Sequence, residues 1–302
     1  MNGPPHSAAA GLSRVRTRAI ADFVALTKPR VVVMVLASTL VGFYLGTSGI
    51  TDYWLLLKAL VGTGLAASGT LALNQYLERD LDARMMRTRG RPLPAGRLRP
   101  VEALAFGALI TTAGLMVLAV SVNPLSGLVT VVTVATYLFC YTPLKLRTPL
   151  CSLIGAIPGA LPPVTGWAAA QGDVGQGAWV LFAILFLWQL PHSLAIATLY
   201  SSDYARAGFR LLPVIDGDGR STHRQIVNNC AALMVVGMMP TLFGLTGPFY
   251  FFSALILGAL FLASSLWLAL VPSLLAARRV LLASLVYLPL LLAAMAADKI
   301  PT

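Results

Sequence analysis

Windows of roughly 20 apolar residues recur along the chain, and as helices each is long enough to cross ~30 Å of hydrocarbon. There are nine, over residues 31–48, 55–74, 102–122, 125–142, 151–170, 178–200, 225–245, 248–271 and 279–297. The fifth contains "GAIPGALPPVTGW" (155–167), whose glycines and prolines predict a kinked or broken helix. Such backbone is tolerated in a bilayer only where protein or a cavity satisfies it. The pattern predicts an all-α polytopic membrane protein. Residues 1–26 form a basic cytoplasmic tail in this reading, and residues 27–302 a single transmembrane domain.

Composition agrees. Of 302 residues, 57% are hydrophobic and 11% charged, and the mean hydropathy of +0.79 is one that soluble domains rarely reach. Cys140, Cys151 and Cys230 lie in or beside apolar segments, form no CxxC pair and read as small core residues. The N-terminal stretch has no apolar core before a cleavage site, so it reads as a polar basic tail and not a signal peptide.

Charge sets the expected topology. With nine spans, the N-terminus and every second loop share one side, and all but Lys58 and Lys299 of the 22 basic residues fall there. The positive-inside rule makes that side cytoplasmic and places the C-terminus outside. The net charge of +11 is then an orientation signal and an attraction to anionic lipid. A nucleic-acid partner does not fit, because the cations are tied to membrane loops.

Two loops on the cytoplasmic side are long and mix acids with arginines: Asn74–Pro100 and Tyr200–Gln225. In the first, Asn74, Glu78 and Asp82 stand at i, i+4 and i+8. At helical spacing they drift only ~40° about the axis and span ~12 Å, a single polar stripe, with Asp80 off it. Oxygen ligands in a stripe suit Mg²⁺, which keeps room for phosphate oxygens and water. Arg87 and Arg91, close behind, can grip the same phosphates with forked donors. The other reading is an amphipathic interfacial helix whose acids and arginines pair at i, i+4.

Asp203, three residues after Tyr200, reads either as a solvated helix-end acid or as a metal ligand, with Arg206 close behind. Two acidic loops on one face favour a shared polar cleft, a central cavity opening toward the cytoplasmic side. Lys145 and Arg147 could reach phosphate there, or serve only as positive-inside anchors. Polar residues within spans are expensive. His192, beside Pro191 in the sixth span, reads as a haem or metal ligand or as a packed histidine bonded to a neighbouring helix. Asn228 and Asn229 read as interhelical hydrogen-bond groups.

At these residues the chain resembles the UbiA-type intramembrane prenyltransferases. Their first motif, Asn-x-x-x-Asp-x-x-x-Asp, here reads Asn74, Glu78, Asp82, with Glu in place of the first Asp. The stretches "TKPR" (27–30), "RTRGRPLPAG" (87–96), "YTPLKLRTPL" (141–150), "WQLPHSLAIA" (188–197) and "DYARAGFRLLPV" (203–214) are similar to the haem-modifying branch. Quinone-type members carry a second Asp-x-x-x-Asp, whereas here Ala207 follows Asp203 at the fourth position, which argues against a quinone substrate.

The resemblance implies farnesyl transfer from farnesyl diphosphate to a vinyl group of haem b, giving haem O, in a bacterial inner membrane. Mg²⁺ would be held by Asn74, Glu78, Asp82 and Asp203, and diphosphate by Arg87, Arg91, Lys145, Arg147 and Arg206. Haem would be touched by His192, and a haem A synthase or terminal oxidase assembly would take the product. Two alternatives are another prenyl acceptor such as 4-hydroxybenzoate, and a transporter without chemistry. A transporter should place ionisable residues near the bilayer midplane, whereas here almost all lie at one face.

Overall fold

A computed structural model describes residues 20–300 of the chain. Most of the expected basic tail, including Arg14, Arg16 and Arg18, lies outside the described residues, and residues 20–26 are helical. Nine described helices are long and apolar enough to cross a membrane: α1 (Pro29–Gly46), α2 (Tyr53–Asp82), α3 (Pro100–Val122), α4 (Pro124–Leu144), α5 (Cys151–Gln171), α6 (Gln176–Leu199), α7 (Arg220–Leu242), α8 (Pro248–Leu270) and α9 (Leu274–Ala297).

All nine expected spans are present, but several run further than their apolar windows. Helix α2 continues to Asp82 instead of ending at 74, α7 begins at Arg220 instead of 225, and α9 begins at Leu274 instead of 279. Backbone hydrogen bonding is indifferent to side-chain polarity, so a helix passes through polar residues that a hydropathy window excludes. Helix α5 is broken at Leu161, between Ala160 and Pro162, as its prolines require. One turn before the break, Gln189 of α6 donates its Nε2 to the Ala156 carbonyl at 2.6 Å and ties the two helices together.

Two tight seams position the site. Helix α2 lies against α3 where a Cβ on Gly69 would overlap the Thr111 hydroxyl and stand 2.6 Å from the Gly107 carbonyl. Helix α1 lies against the second half of α5, where a Cβ on Gly166 would overlap the Thr39 carbonyl. Small residues let helices approach in the absence of a hydrophobic force between them. Helices α6 to α9 share an apolar core that includes Leu181, Ile184, Cys230, Phe261 and Tyr287. Cys151 and Cys230 are buried as expected, but Cys140 is exposed. Asn229 donates to the Gln225 carbonyl of its own helix at 2.7 Å, and Asn228 is exposed, so neither bridges helices as expected.

Candidate active site

The polar end of α2 is the wall of a cavity. Asn74, Glu78 and Asp82 are only 1%, 6% and 1% exposed, although charged groups are seldom buried without a partner. Asp80, off the stripe, is turned outward. The stripe lines a cavity of about 160 Å³ together with Lys28, Arg87, Arg91 and Lys145. Four cations therefore face two carboxylates across a space of roughly diphosphate size.

The acids are partly neutralised by those cations. Lys145 Nζ lies 2.6 Å from Glu78 Oε1, and Arg91 Nη1 lies 2.6 Å from Asp82 Oδ2. Asn74 accepts from Lys28 Nζ at 3.4 Å and donates to the Thr142 hydroxyl at 3.2 Å. Asp82 Oδ1 is buried and has no hydrogen-bond partner among the described residues. An unmet buried carboxylate oxygen is costly, and here it belongs to a side chain that lines the cavity with Asn74 and Glu78.

That donor set suits a hard divalent cation. No three His, Cys, Asp or Glu side chains converge on one point among the described residues. Protein would therefore supply only part of a coordination shell, as is usual for Mg²⁺ bound with phosphate. Burial, aided by Arg91 and Lys145, pushes the Lys28 ammonium down to about 7 against the pull of Glu78 and Asp82. Burial works against the Lys145 ammonium too, but Tyr141 and Glu78 outweigh it and hold its pKa above the ordinary value.

Aromatic rings close the cavity. Helix α4 widens to π-type bonding over Thr136–Tyr141, and both Tyr137 and Tyr141 line the space, with Tyr204 and Phe209 opposite. Such widened turns are frequent at functional sites. The Lys145 ammonium lies 4.4 Å from the Tyr141 ring centroid. Tyr137, Tyr141 and Lys145 repeat the i, i+4, i+8 spacing of the acid stripe, and that spacing could have marked them.

Lys28 is the other residue that sequence reasoning did not place in the site. It adopts φ 49° and ψ 66°, the only positive φ of a non-glycine among the described residues. A left-handed residue costs about 1–2 kcal/mol, and a cation at a helix N-terminus opposes the helix dipole. Lysine immediately before Pro29 at a helix start is a detectable anomaly, since such strain persists where the surroundings over-determine it.

The structure does not bring every expected residue to the cavity. Arg147 is exposed, and Arg206 is exposed and paired with Asp203. Asp203 is buried, but its oxygens accept from the backbone N–H groups of Met86 at 3.4 Å and Arg87 at 3.2 Å as well as from Arg206. It does not line the cavity and both of its oxygens already accept from protein donors, so the geometry does not support Asp203 as a fourth metal ligand. His192 is also off the wall. Its Nδ1 lies 2.8 Å from the Ser284 hydroxyl of α9, and its ring stacks on Trp188 at 5.0 Å between centroids.

Residues 35–296 match the model of the UbiA prenyltransferase family. The chain is 49% identical over 288 residues to "Protoheme IX farnesyltransferase" of Solibacter usitatus (strain Ellin6076), covering 92% of this chain and 98% of that one. It is 43% identical to the protein of the same name from Koribacter versatilis (strain Ellin345), covering 92% and 93%. Among solved structures, a UbiA homolog from Archaeoglobus fulgidus bound to GPP and Mg²⁺ superposes with a TM-score of 0.63 at 16% identity, covering 91% of this chain and 99% of that one. A structure described in work on digeranylgeranylglyceryl phosphate synthase in membranes reaches 0.78 at 15% identity, covering 92% and 98%.

Proposed function

The chain belongs to the UbiA prenyltransferase family, and from that membership we propose that this integral membrane protein transfers a farnesyl group from farnesyl diphosphate to a vinyl group of haem b. The terminal vinyl carbon bonds to C1 of the farnesyl chain as the C1–O bond to diphosphate breaks, and water adds to the other vinyl carbon and loses a proton, so the products are haem O, with its hydroxyethylfarnesyl side chain, and diphosphate. The observation that carries the reading is the cavity, where Asp82 Oδ1 stands unpartnered beside Asn74 and Glu78 and four cations face the same space.

Mg²⁺, held by Asn74, Glu78 and Asp82, would supply positive charge to the diphosphate as it leaves C1 of the farnesyl chain. The chain's own cations do the rest. Arg91 and Lys145 pair with Asp82 and Glu78. With substrate present they turn from carboxylate to phosphate, joined by Arg87 and Lys28. Such fixed charges stabilise a developing anion more strongly in a dry site than in water. Tyr137 and Tyr141 keep water from the allylic cation and offer it their negative ring faces. Arg147 and Arg206, exposed on the loops at the same end, draw the polyanion in by long-range attraction.

His192 suits a haem contact for a reason its hydrogen bonds supply. The Ser284 hydroxyl donates to the Leu281 carbonyl at 2.6 Å, so it can only accept from His192. His192 Nδ1 then carries the proton, and Nε2 keeps its lone pair and makes no hydrogen bond among the described residues. A histidine that ligates metal through one nitrogen commonly donates the other N–H in this way.

By the positive-inside rule, the basic loops support a reading in which the N-terminus and the cavity mouth face the cytoplasm of a bacterial cell and the C-terminus lies outside. Farnesyl diphosphate would enter from that side, and a haem A synthase or terminal oxidase assembly would take the product. Membranes containing the protein, given haem b, farnesyl diphosphate and Mg²⁺, should yield haem O on pigment chromatography. Prenylation of 4-hydroxybenzoate with haem b left unchanged would overturn the acceptor assignment.

A further inference from the structure

Asp203 differs from the acids of the stripe in how its oxygens are used. It is 7% exposed, and each oxygen accepts a backbone N–H from the loop that follows α2: Oδ1 from Met86 at 3.4 Å and Oδ2 from Arg87 at 3.2 Å. The two donors are adjacent in sequence, so one carboxylate bridges consecutive amides of a segment more than a hundred positions away. Arg206 supplies the countercharge from the outer side.

The same two segments meet in two further ways. Met85, just before the bridged amides, is buried against Ala207, Phe209 and Leu211. The Arg87 side chain donates to the Tyr204 hydroxyl at 3.1 Å, and its guanidinium lies 5.0 Å from the Tyr200 ring centroid. Arg87 is thus held at its backbone by Asp203 and at its side chain by the residues on either side of Asp203. Arg87 lines the cavity, whereas Asp203 does not.

We propose that Asp203 is a positioning residue, which fixes the loop after α2 so that Arg87 faces the diphosphate, and that it holds no metal. This rests on the reading that the cavity takes a metal-bound diphosphate. The physical logic is that a hydrogen bond to a charged group contributes about 1.5–3 kcal/mol, and two such bonds set the register of a segment that has no regular secondary structure of its own. Both oxygens of Asp203 are engaged by protein donors, and Asp203 does not line the cavity. A metal at Asp203 would compete with these three donors for the same two oxygens.

The test compares Asp203→Asn with Asp82→Asn in the full-length protein. Asparagine keeps the size of the side chain and one acceptor, so folding is preserved. In the solubilised protein without substrate or Mg²⁺, hydrogen exchange at the amides of Met86 and Arg87 should speed up about tenfold in Asp203→Asn. It should stay unchanged in Asp82→Asn. In farnesyl transfer to haem b, Asp203→Asn should raise KM for farnesyl diphosphate about tenfold, with the Mg²⁺ concentration for half-activation kept within about twofold. Asp203→Asn combined with Arg87→Met should lose little more than Arg87→Met alone, because both act through one side chain.

A rise in the Mg²⁺ requirement of Asp203→Asn matching that of Asp82→Asn, with amide exchange at Met86 and Arg87 unchanged, would overturn the proposal. Wild-type activity in Asp82→Asn would instead overturn the diphosphate site. In that case faster exchange at the two amides in Asp203→Asn would still establish the loop tie.

Discussion

Asp82 and Asp203 are both buried carboxylates at the same end of the bundle, each beside an arginine, and they differ oxygen by oxygen. Asp82 lines the cavity, gives one oxygen to Arg91 and leaves the other without a hydrogen-bond partner among the described residues. Asp203 gives both of its oxygens to protein donors, two of them backbone amides. A carboxylate with an unspent lone pair can take up a cation when substrate arrives. A carboxylate whose two oxygens both accept from backbone amides is suited to holding the chain in place. Burial and charge alone do not separate the two cases, and the hydrogen-bond inventory does.

The sharpest way to break this contrast is to remove the bare oxygen or what it binds. Asp82→Ala should reduce farnesyl transfer about 10²–10³-fold, the usual loss when a preorganised charge-stabilising group is removed. Chelation of divalent metal should abolish turnover in the wild-type protein, and added Mg²⁺ should restore it. Steady-state assays in membranes measure both, with insertion checked by the amount of protein recovered in the membrane fraction. Persistence of activity in either experiment would remove the distinction between the two acids.

The same accounting of lone pairs applies to His192, whose Nδ1 is spent on Ser284 and whose Nε2 is not. His192→Ala should weaken haem binding and shift the Soret band, with KM for farnesyl diphosphate unchanged. Ser284→Ala should weaken haem binding about tenfold, as expected when the group orienting a ligand is removed. A histidine that only packs would leave the haem spectrum unmoved while the protein lost stability.

Smaller effects sharpen the cation side of the comparison. Arg91→Lys keeps the charge but loses the fork, so activity at low farnesyl diphosphate should fall about fivefold and recover at saturation. The partner of Asp203 should matter less. Arg206 is exposed, and an exposed ion pair contributes about 0–1 kcal/mol, so Arg206→Ala should change KM by less than about threefold. An effect of Arg206→Ala equal to that of Arg91→Lys would place both arginines on the phosphate.

What the sequence determined by itself is whatever depends on local pattern. Nine apolar windows define nine spans because a bilayer demands a set length of apolar helix. The prolines of 155–167 break α5 because they cannot donate to the preceding turn. The stripe of Asn74, Glu78 and Asp82 was legible because i, i+4 spacing keeps side chains on one face whatever surrounds the helix.

Only the tertiary structure decided which partner each polar atom meets. Lys28 and Asn74 stand 46 positions apart, Glu78 and Lys145 67, and Arg87 and Asp203 116. No local period encodes those separations. They arise where glycine seams bring α1, α2, α3 and α5 into close contact and set the helix ends against one another. Asp82 and Asp203 are the same residue type in similar acidic, arginine-rich loops. Their difference lies in where two backbone amides and one cavity fall in space, because a carboxylate's role is set by the donors within about 3 Å of its oxygens.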